Sequence, residues 1–244
     1  MVLYGLIGQS LSHSLSKEIF TTWFAETDLS ADYRLYELED IAGLPGLLKR
    51  YPAIRGLNVT TPFKTAVLSF CDYLDLSAEI CNAVNCLTVA PGSITGYNTD
   101  REGFRKALLL WIGETIPNAL IMGSGGAARA AASVVSELGA SYIIVSRDPR
   151  EEMIHYAQIN SAVLQEFPLI INATPVGMYP DVDQMPPLPW KWVSEKNLFF
   201  DMIYNPQETM FLKWASELGA PYCNGLVMLI EQAKKSKEIW GIGT

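Results

Sequence analysis

The chain has 244 residues, 49% of them hydrophobic, with 18 Lys plus Arg against 26 Asp plus Glu and a net charge of -8. That length accommodates one large domain or two ordinary ones, and that apolar share supports a substantial core. The acidic balance and the lack of any Lys/Arg run argue against nucleic acid as a partner, while a helix N-terminus or a few local donors can still hold a small anion.

The opening MVLYGLIGQS lacks a basic n-region, and no apolar run nears the roughly 20 residues that cross a bilayer. A cytoplasmic protein with no membrane partner is expected. Apolar runs alternate with helical patterns from the start: VLYGLIG (2–8), a helix near 15–26, DYRLYEL (32–38), a helix near 40–50, and RGLNVT (55–60). This is the strand-helix alternation of an α/β sheet. In NVTTPFK, the pair Thr61-Pro62 has the form of a helix start, which would place Lys64 in the first turn. A cation is disfavoured there by the helix dipole. AVNCLTVA and ITGYN flank a Pro-Gly-Ser turn and predict a hairpin, adding an antiparallel piece to a mostly parallel sheet.

A second α/β series begins near residue 118. NALIMG reads as a buried strand, GSGGAARAAASVVSELG as a Gly-opened helix closed by Gly139, and YIIVSR as the next strand. PLIINATP and NLFFDMIY supply two more, YPDVDQMPPLPW reads as an ordered loop, and LVMLIEQAKKSKEIW has helical apolar spacing. The turn at 123–130 fits G-x-G-x-x-A. Gly123 permits the tight turn, Gly125 admits a pyrophosphate against the backbone, and Ala128 allows close helix-strand packing. Ser124, Gly126 and Ala127 lie in the same turn, and the phosphates would sit on the helix N-terminus. After YIIVSR, Arg147 favours the 2′-phosphate of NADP, Arg150 lies close by, and Asp148 leaves NAD open.

GYNTDREGF supplies the other polar constellation. Asn98 or Thr99 can cap the following helix, which puts Asp100 in its first turn. A nicotinamide enzyme reducing a ketone needs a proton donor for the oxygen. A helix N-terminus with partial burial would lower the pKa of Lys64 toward that task, and a nearby carboxylate would orient the amine. Cys71, Cys81, Cys86 and Cys223 have no C-x-x-C spacing, and with only His13 and His155 besides, no zinc site is expected; the thiols should be buried and reduced.

These residues resemble the shikimate dehydrogenases and the related quinate/shikimate dehydrogenases. The resemblance spans nearly the whole chain through GQSLSHSLS (8–16), NVTTPFK, NAVNCL (82–87), GYNTDREG, GSGGAARA, NATPVGM (172–178), DMIYNPQET (201–209) and NGLVMLIEQA (224–233). It implies NADP-dependent interconversion of 3-dehydroshikimate and shikimate in aromatic amino acid biosynthesis. It also implies a discontinuous substrate-binding domain (1–101 with 222–244) and a Rossmann dinucleotide-binding domain (102–221), with the reaction in their cleft. By the resemblance Lys64 and Asp100 are the catalytic pair. Ser14 and Ser16 bind the substrate carboxylate, and Thr60, Asn85, Tyr204 and Gln232 complete the pocket. Short fixed hydroxyls and amides suit a small polyhydroxylated ring. Arg147 meets the 2′-phosphate, and Asn172, Thr174, Met202 and Gly225 surround the ribose and nicotinamide.

The blander readings are helix capping for Ser14, Ser16 and Asp100, and packing for Met202 and Gly225. Departures from the family pattern are Gln9-Ser10-Leu11 in the opening loop, Lys17, Asn82 in place of a Gly (an Asn tolerates positive φ), Cys86, and Asp148. Alternatives are an enzyme that also takes quinate or NAD, and a non-catalytic sensor; the latter would not need an acid-base pair. A monomer or homodimer is equally compatible with the sequence.

Overall fold

The computed structural model describes all residues except His13, Asp28, Glu151 and Thr244. It divides into two compact units, Met1–Glu102 with Ile230–Thr244, and Gly103–Leu229. The units part at 229/230, and Tyr222 and Cys223 pair with a strand of the second unit.

In the first unit the elements run β1 (Val2–Gly8), α1 (Ser16–Glu26), β2 (Ala31–Glu37), α2 (Leu44–Arg50), β3 (Ile54–Val59), β4 (Tyr73–Leu74), α3 (Leu76–Cys81), β5 (Cys86–Ala90) and β6 (Ser93–Tyr97). The sheet order is β2-β1-β3-β5-β6-β4. β1 is buried along nearly its whole length, as a central parallel strand must be, and pairs in parallel with β2 and β3. β5 and β6 form the expected hairpin around Gly92, whose φ of +73° favours glycine. Asn82 closes α3 in the left-handed region at φ 43°, the conformation its residue type tolerates.

The helix start expected at Thr61-Pro62 is absent. Residues 61–65 form turns with a cis Thr61-Pro62 peptide, and a 3-10 segment begins only at Ala66. The Lys64 carbonyl accepts from the Val84 N-H at 2.7 Å, while the Leu68 N-H donates to the Thr65 carbonyl. Lys64 therefore lies in the turn just ahead of the helical residues rather than inside a helix's first turn.

Helix α4 (Thr99–Ile112) leads into the second unit, which continues β7 (Ala119–Met122), α5 (Gly126–Glu137), β8 (Tyr142–Ser146), β9 (Met153–His155), α6 (Ser161–Glu166), β10 (Leu169–Asn172), β11 (Leu198–Asp201), α7 (Met210–Glu217) and β12 (Tyr222–Cys223); the last helix, α8 (Leu226–Ile239), starts there and belongs to the first unit from Ile230 onward. All pairings in this sheet are parallel, in the order β12-β11-β10-β7-β8-β9. This is the doubly wound order, and it reverses between β7 and β10, where ligands bind beyond the carboxyl ends of the strands. Buried Ala128, Ala131 and Ala132 bring α5 close to the sheet beside Ile121 and Ile171. The loop at 179–190 has no helix or strand until the 3-10 turn at Trp190.

Candidate active site

In the first unit the turn after β3 presents Lys64, while buried Phe63 and Val67 anchor it in the core beneath the sheet. Lys64 Nζ donates to Asp100 Oδ2 at 2.6 Å. The ammonium side chain is 23% exposed and the carboxylate 9%, so the pair sits at the protein-water boundary with its cation on the open side. Asp100 lies in the first turn of α4, as expected, and Asn98 caps that turn by accepting from the Arg101 N-H at 3.2 Å.

Asp100 is held from behind by a buried polar network. Asn85 Nδ2 donates to Asp100 Oδ1 at 2.8 Å, and Asn85 Oδ1 accepts from the Thr99 N-H at 2.6 Å. The second contact fixes the amide's orientation, so its NH2 end must face the carboxylate. Gln232 Oε1 lies within reach of both Thr99 Oγ1 (3.2 Å) and Asn85 Nδ2 (3.5 Å). The Thr99 and Ser236 hydroxyls lie 3.3 Å apart, Asn58 Nδ2 donates to Ser236 Oγ, and the Tyr33 hydroxyl donates to Asn58 Oδ1. Helix α8 is thus tied to β3 and α4 through its polar face. The structure brings together Lys64, Asp100, Asn85 and Gln232. It adds Thr99, Ser236 and Asn58, to which sequence reasoning assigns no site role; Thr99 is legible there only as a helix cap.

Of the other expected substrate groups, Thr60 follows β3 and donates its N-H to the Ile7 carbonyl, four residues before Lys64. Ser14 and Ser16 lie at the start of α1, where Ser14 Oγ accepts from the Ser16 N-H at 3.2 Å; the N-cap position itself is Leu15, and no side chain caps the helix. Tyr204 belongs to the second unit, just past β11. A groove of about 590 Å³ in the first unit, lined by Leu44, Tyr51, Ile54 and Phe70 among others, includes none of these residues.

In the second unit the glycine turn follows β7, at the switch point. Gly123 has φ +112°, and a Cβ there would meet the Ala173 carbonyl oxygen at 3.0 Å. Gly125 is different: a Cβ there would meet no protein atom within 4 Å. Its smallness serves nothing inside the protein, which fits a backbone approached by a ligand. The 12-residue helix α5 begins at once with no side-chain cap on its first turn, leaving N-H groups that suit a pyrophosphate. Ser124 and Ser146 hydroxyls lie 3.4 Å apart, and Ser146 Oγ accepts from the Asp148 N-H, ordering the exposed turn that carries Arg147.

Across the switch point, Asn172 Oδ1 accepts from the Thr174 N-H (3.1 Å) and Thr174 Oγ1 (2.7 Å). Met202 donates its N-H to the Asn172 carbonyl, and a Cβ on Gly225 would lie 2.1 Å from the Met202 carbonyl oxygen. Gly225 is therefore required for close backbone packing. Beneath them Asp201, wholly buried, accepts from Asn172, Ile203 and Thr209, and burial pushes its carboxyl up to about 7 against the opposing pull of those donors. Asp201 opens the motif DMIYNPQET, yet sequence reasoning singles out only its neighbours Met202 and Tyr204.

Among the described residues no cluster of His, Cys, Asp and Glu can hold a metal. Cys81 and Cys86 are buried, while Cys71 and Cys223 are half-buried rather than buried as expected. Burial pushes the Cys86 thiol up to about 12, keeping it inert. His13 lies outside the described residues. No helix among them is long and apolar enough to cross a membrane.

Residues 6–87 match the family profile for the shikimate dehydrogenase substrate binding domain. A shikimate dehydrogenase (NADP(+)) of Clostridium beijerinckii is 36% identical over 98% of this chain and 92% of its own length. The structure of a Thermus thermophilus shikimate 5-dehydrogenase in complex with NADP(H) and shikimate superposes with a TM-score of 0.87 at 30% identity, covering 98% of this chain and 93% of that one. A Listeria monocytogenes shikimate 5-dehydrogenase, in complex with shikimate and NAD, gives 0.82 at 28% identity over 99% of this chain and 92% of its own. With the Lys64–Asp100 pair in one unit and the doubly wound sheet in the other, the chain belongs to the shikimate dehydrogenase family.

Proposed function

We propose that this protein catalyses the reversible, NADP-dependent reduction of 3-dehydroshikimate to shikimate. The observation that carries the reading is the 2.6 Å contact between Lys64 and Asp100, with Asn85 holding the carboxylate's other oxygen. When bound, the nicotinamide supplies hydride to the ketone carbon, or accepts it in reverse. Lys64 gives a proton from Nζ to the substrate oxygen and takes it back in the oxidation direction. Asp100 keeps the amine oriented toward that oxygen. Ser14 and Ser16 hold the substrate carboxylate, and Thr60, Asn85, Tyr204 and Gln232 take its hydroxyls.

The uncapped α5 N-terminus with Gly123, Ser124, Gly125, Gly126 and Ala127 holds the pyrophosphate. Arg147 takes the 2′-phosphate, and Asn172, Thr174, Met202 and Gly225 border the ribose and nicotinamide. The first unit then serves as the substrate-binding domain and the second as the dinucleotide-binding domain. Four cysteines outside any disulfide suit a reducing cytoplasm. The expected partners are small molecules, without nucleic acid, in a monomer or homodimer.

The test is nicotinamide absorbance with purified protein, shikimate or quinate as substrate, and NADP or NAD as cofactor. Turnover with the highest kcat/KM for shikimate and NADP is expected. A higher value for NAD would show that Asp148 rather than Arg147 governs the choice. Ligand binding without any turnover would overturn the assignment in favour of a sensor.

A further inference from the structure

Asp201 ends β11 directly beside Asn172 at the end of β10, the two being register partners. Both are 0% exposed. Its Oδ1 accepts from Asn172 Nδ2 and the Ile203 N-H, both at 3.0 Å, and its Oδ2 accepts from Thr209 Oγ1 at 2.6 Å. An oxygen that takes two N-H donors cannot itself donate, so Asn172 has to turn its NH2 toward Asp201. The Asn172 side-chain oxygen then points the other way and accepts both Thr174 contacts. From there Thr174 Oγ1 accepts from the Val176 N-H at 3.2 Å, and Asn172 Nδ2 reaches the Val176 carbonyl at 3.3 Å. One buried oxygen thereby dictates the shape of the whole 172–176 turn.

That turn faces the glycine turn across the switch point, where Ala173 abuts Gly123. A carboxylate is costly to bury, and a tie between two strands alone is met more cheaply by apolar contacts. Thr209 caps α7 through the Leu212 N-H and so anchors the other oxygen to a fixed helix start. A proton on Oδ2 would lie toward Thr209 and leave the Oδ1 contacts, and hence the Asn172 orientation, as they are.

We propose that Asp201 is a positioning residue for the nicotinamide half of the dinucleotide site, acting through Asn172 and Thr174. The inference rests on the dinucleotide reading of the second unit. It is tested on the full chain by fluorescence titration with NADPH, and by competition with adenosine 2′,5′-bisphosphate, which carries only the adenosine half.

Asp201→Ala is expected to weaken NADPH roughly tenfold or more, because Asn172 loses the acceptor that orients it. Affinity for the bisphosphate should stay within about twofold, and Asp201→Asn, which keeps an acceptor toward Asn172 and offers its NH2 to Thr209, should restore NADPH affinity to within about threefold. Should Asp201→Ala not fold, Asp201→Leu, which fills the volume without an acceptor, is read the same way. Unchanged NADPH affinity in the acceptor-free variant would overturn the inference, as would equal losses for NADPH and the bisphosphate, which would mean general loosening. A wild-type chain that binds neither ligand would instead overturn the dinucleotide reading itself.

Discussion

Lys64 and Asp100 form a pair whose two members have different surroundings: the ammonium faces solvent while the carboxylate is nearly enclosed. Asp100 divides its oxygens, Oδ2 to Lys64 and Oδ1 to Asn85, so the amine has one acceptor and one direction. Replacing Asn85 by Leu keeps the volume and leaves Oδ1 buried without its donor. Such a group costs about 1–3 kcal/mol. Asn85→Leu is therefore expected to lower unfolding stability by that order and kcat by roughly tenfold, measured by urea titration and steady-state rates. Stability and rate both equal to wild type would show that the carboxylate does not depend on Asn85. This contact is not directly legible in the sequence. Position 64 looks there like a misplaced cation on a helix, and the need for a proton donor suggests its pairing with Asp100 without showing that the two meet. The actual device, a Lys64 carbonyl captured by Val84, depends on a long-range contact that local patterning does not encode.

At the scale of elements, long periodic or continuously apolar segments are legible. β1, β3, the β5–β6 hairpin, β7, α5, β8, β10, β11 and α8 all follow the runs read from the chain. β4, β9 and β12 are not, because two or three residues carry no period, and each is a strand only through its neighbour in the sheet. Glycines separate along the same line. In α2, a Cβ on Gly46 would meet nothing within 4 Å, whereas on Gly225 it would strike the Met202 backbone. Gly46→Ala is expected to stabilise the protein by about 0.5–1 kcal/mol through the helix preference for Ala. Gly225→Ala should destabilise it by about 3 kcal/mol, since the second backbone has to move. Thermal or urea unfolding of both variants checks the contrast, and equal effects would contradict the packing described for Gly225.

For the whole molecule, two units with different sheets divide the polar chemistry, and the motifs read along the chain distribute between them. The fold class is legible because βα alternation and the glycine turn are local signals. The buried networks around Ser236 and Asp201 are not, because they draw on side chains that only the folded chain brings together. Asp201 also sets a global pH dependence. Its carboxyl is raised by burial from 3.8 to about 7, so between those values the folded chain keeps a proton that the unfolded chain has lost. Stability from this group is present at low pH, falls as pH rises through that window, and levels off above it. Relative to Asp201→Asn, the wild type should lose unfolding free energy between about pH 4 and about pH 7; parallel profiles would contradict the assignment. The central claim, that Lys64 exchanges the proton with the substrate oxygen, is tested most directly by kcat and shikimate affinity in Lys64→Ala. The account predicts a fall in kcat of at least about a hundredfold with shikimate binding and fold largely preserved, and a variant turning over at near wild-type rate would contradict it.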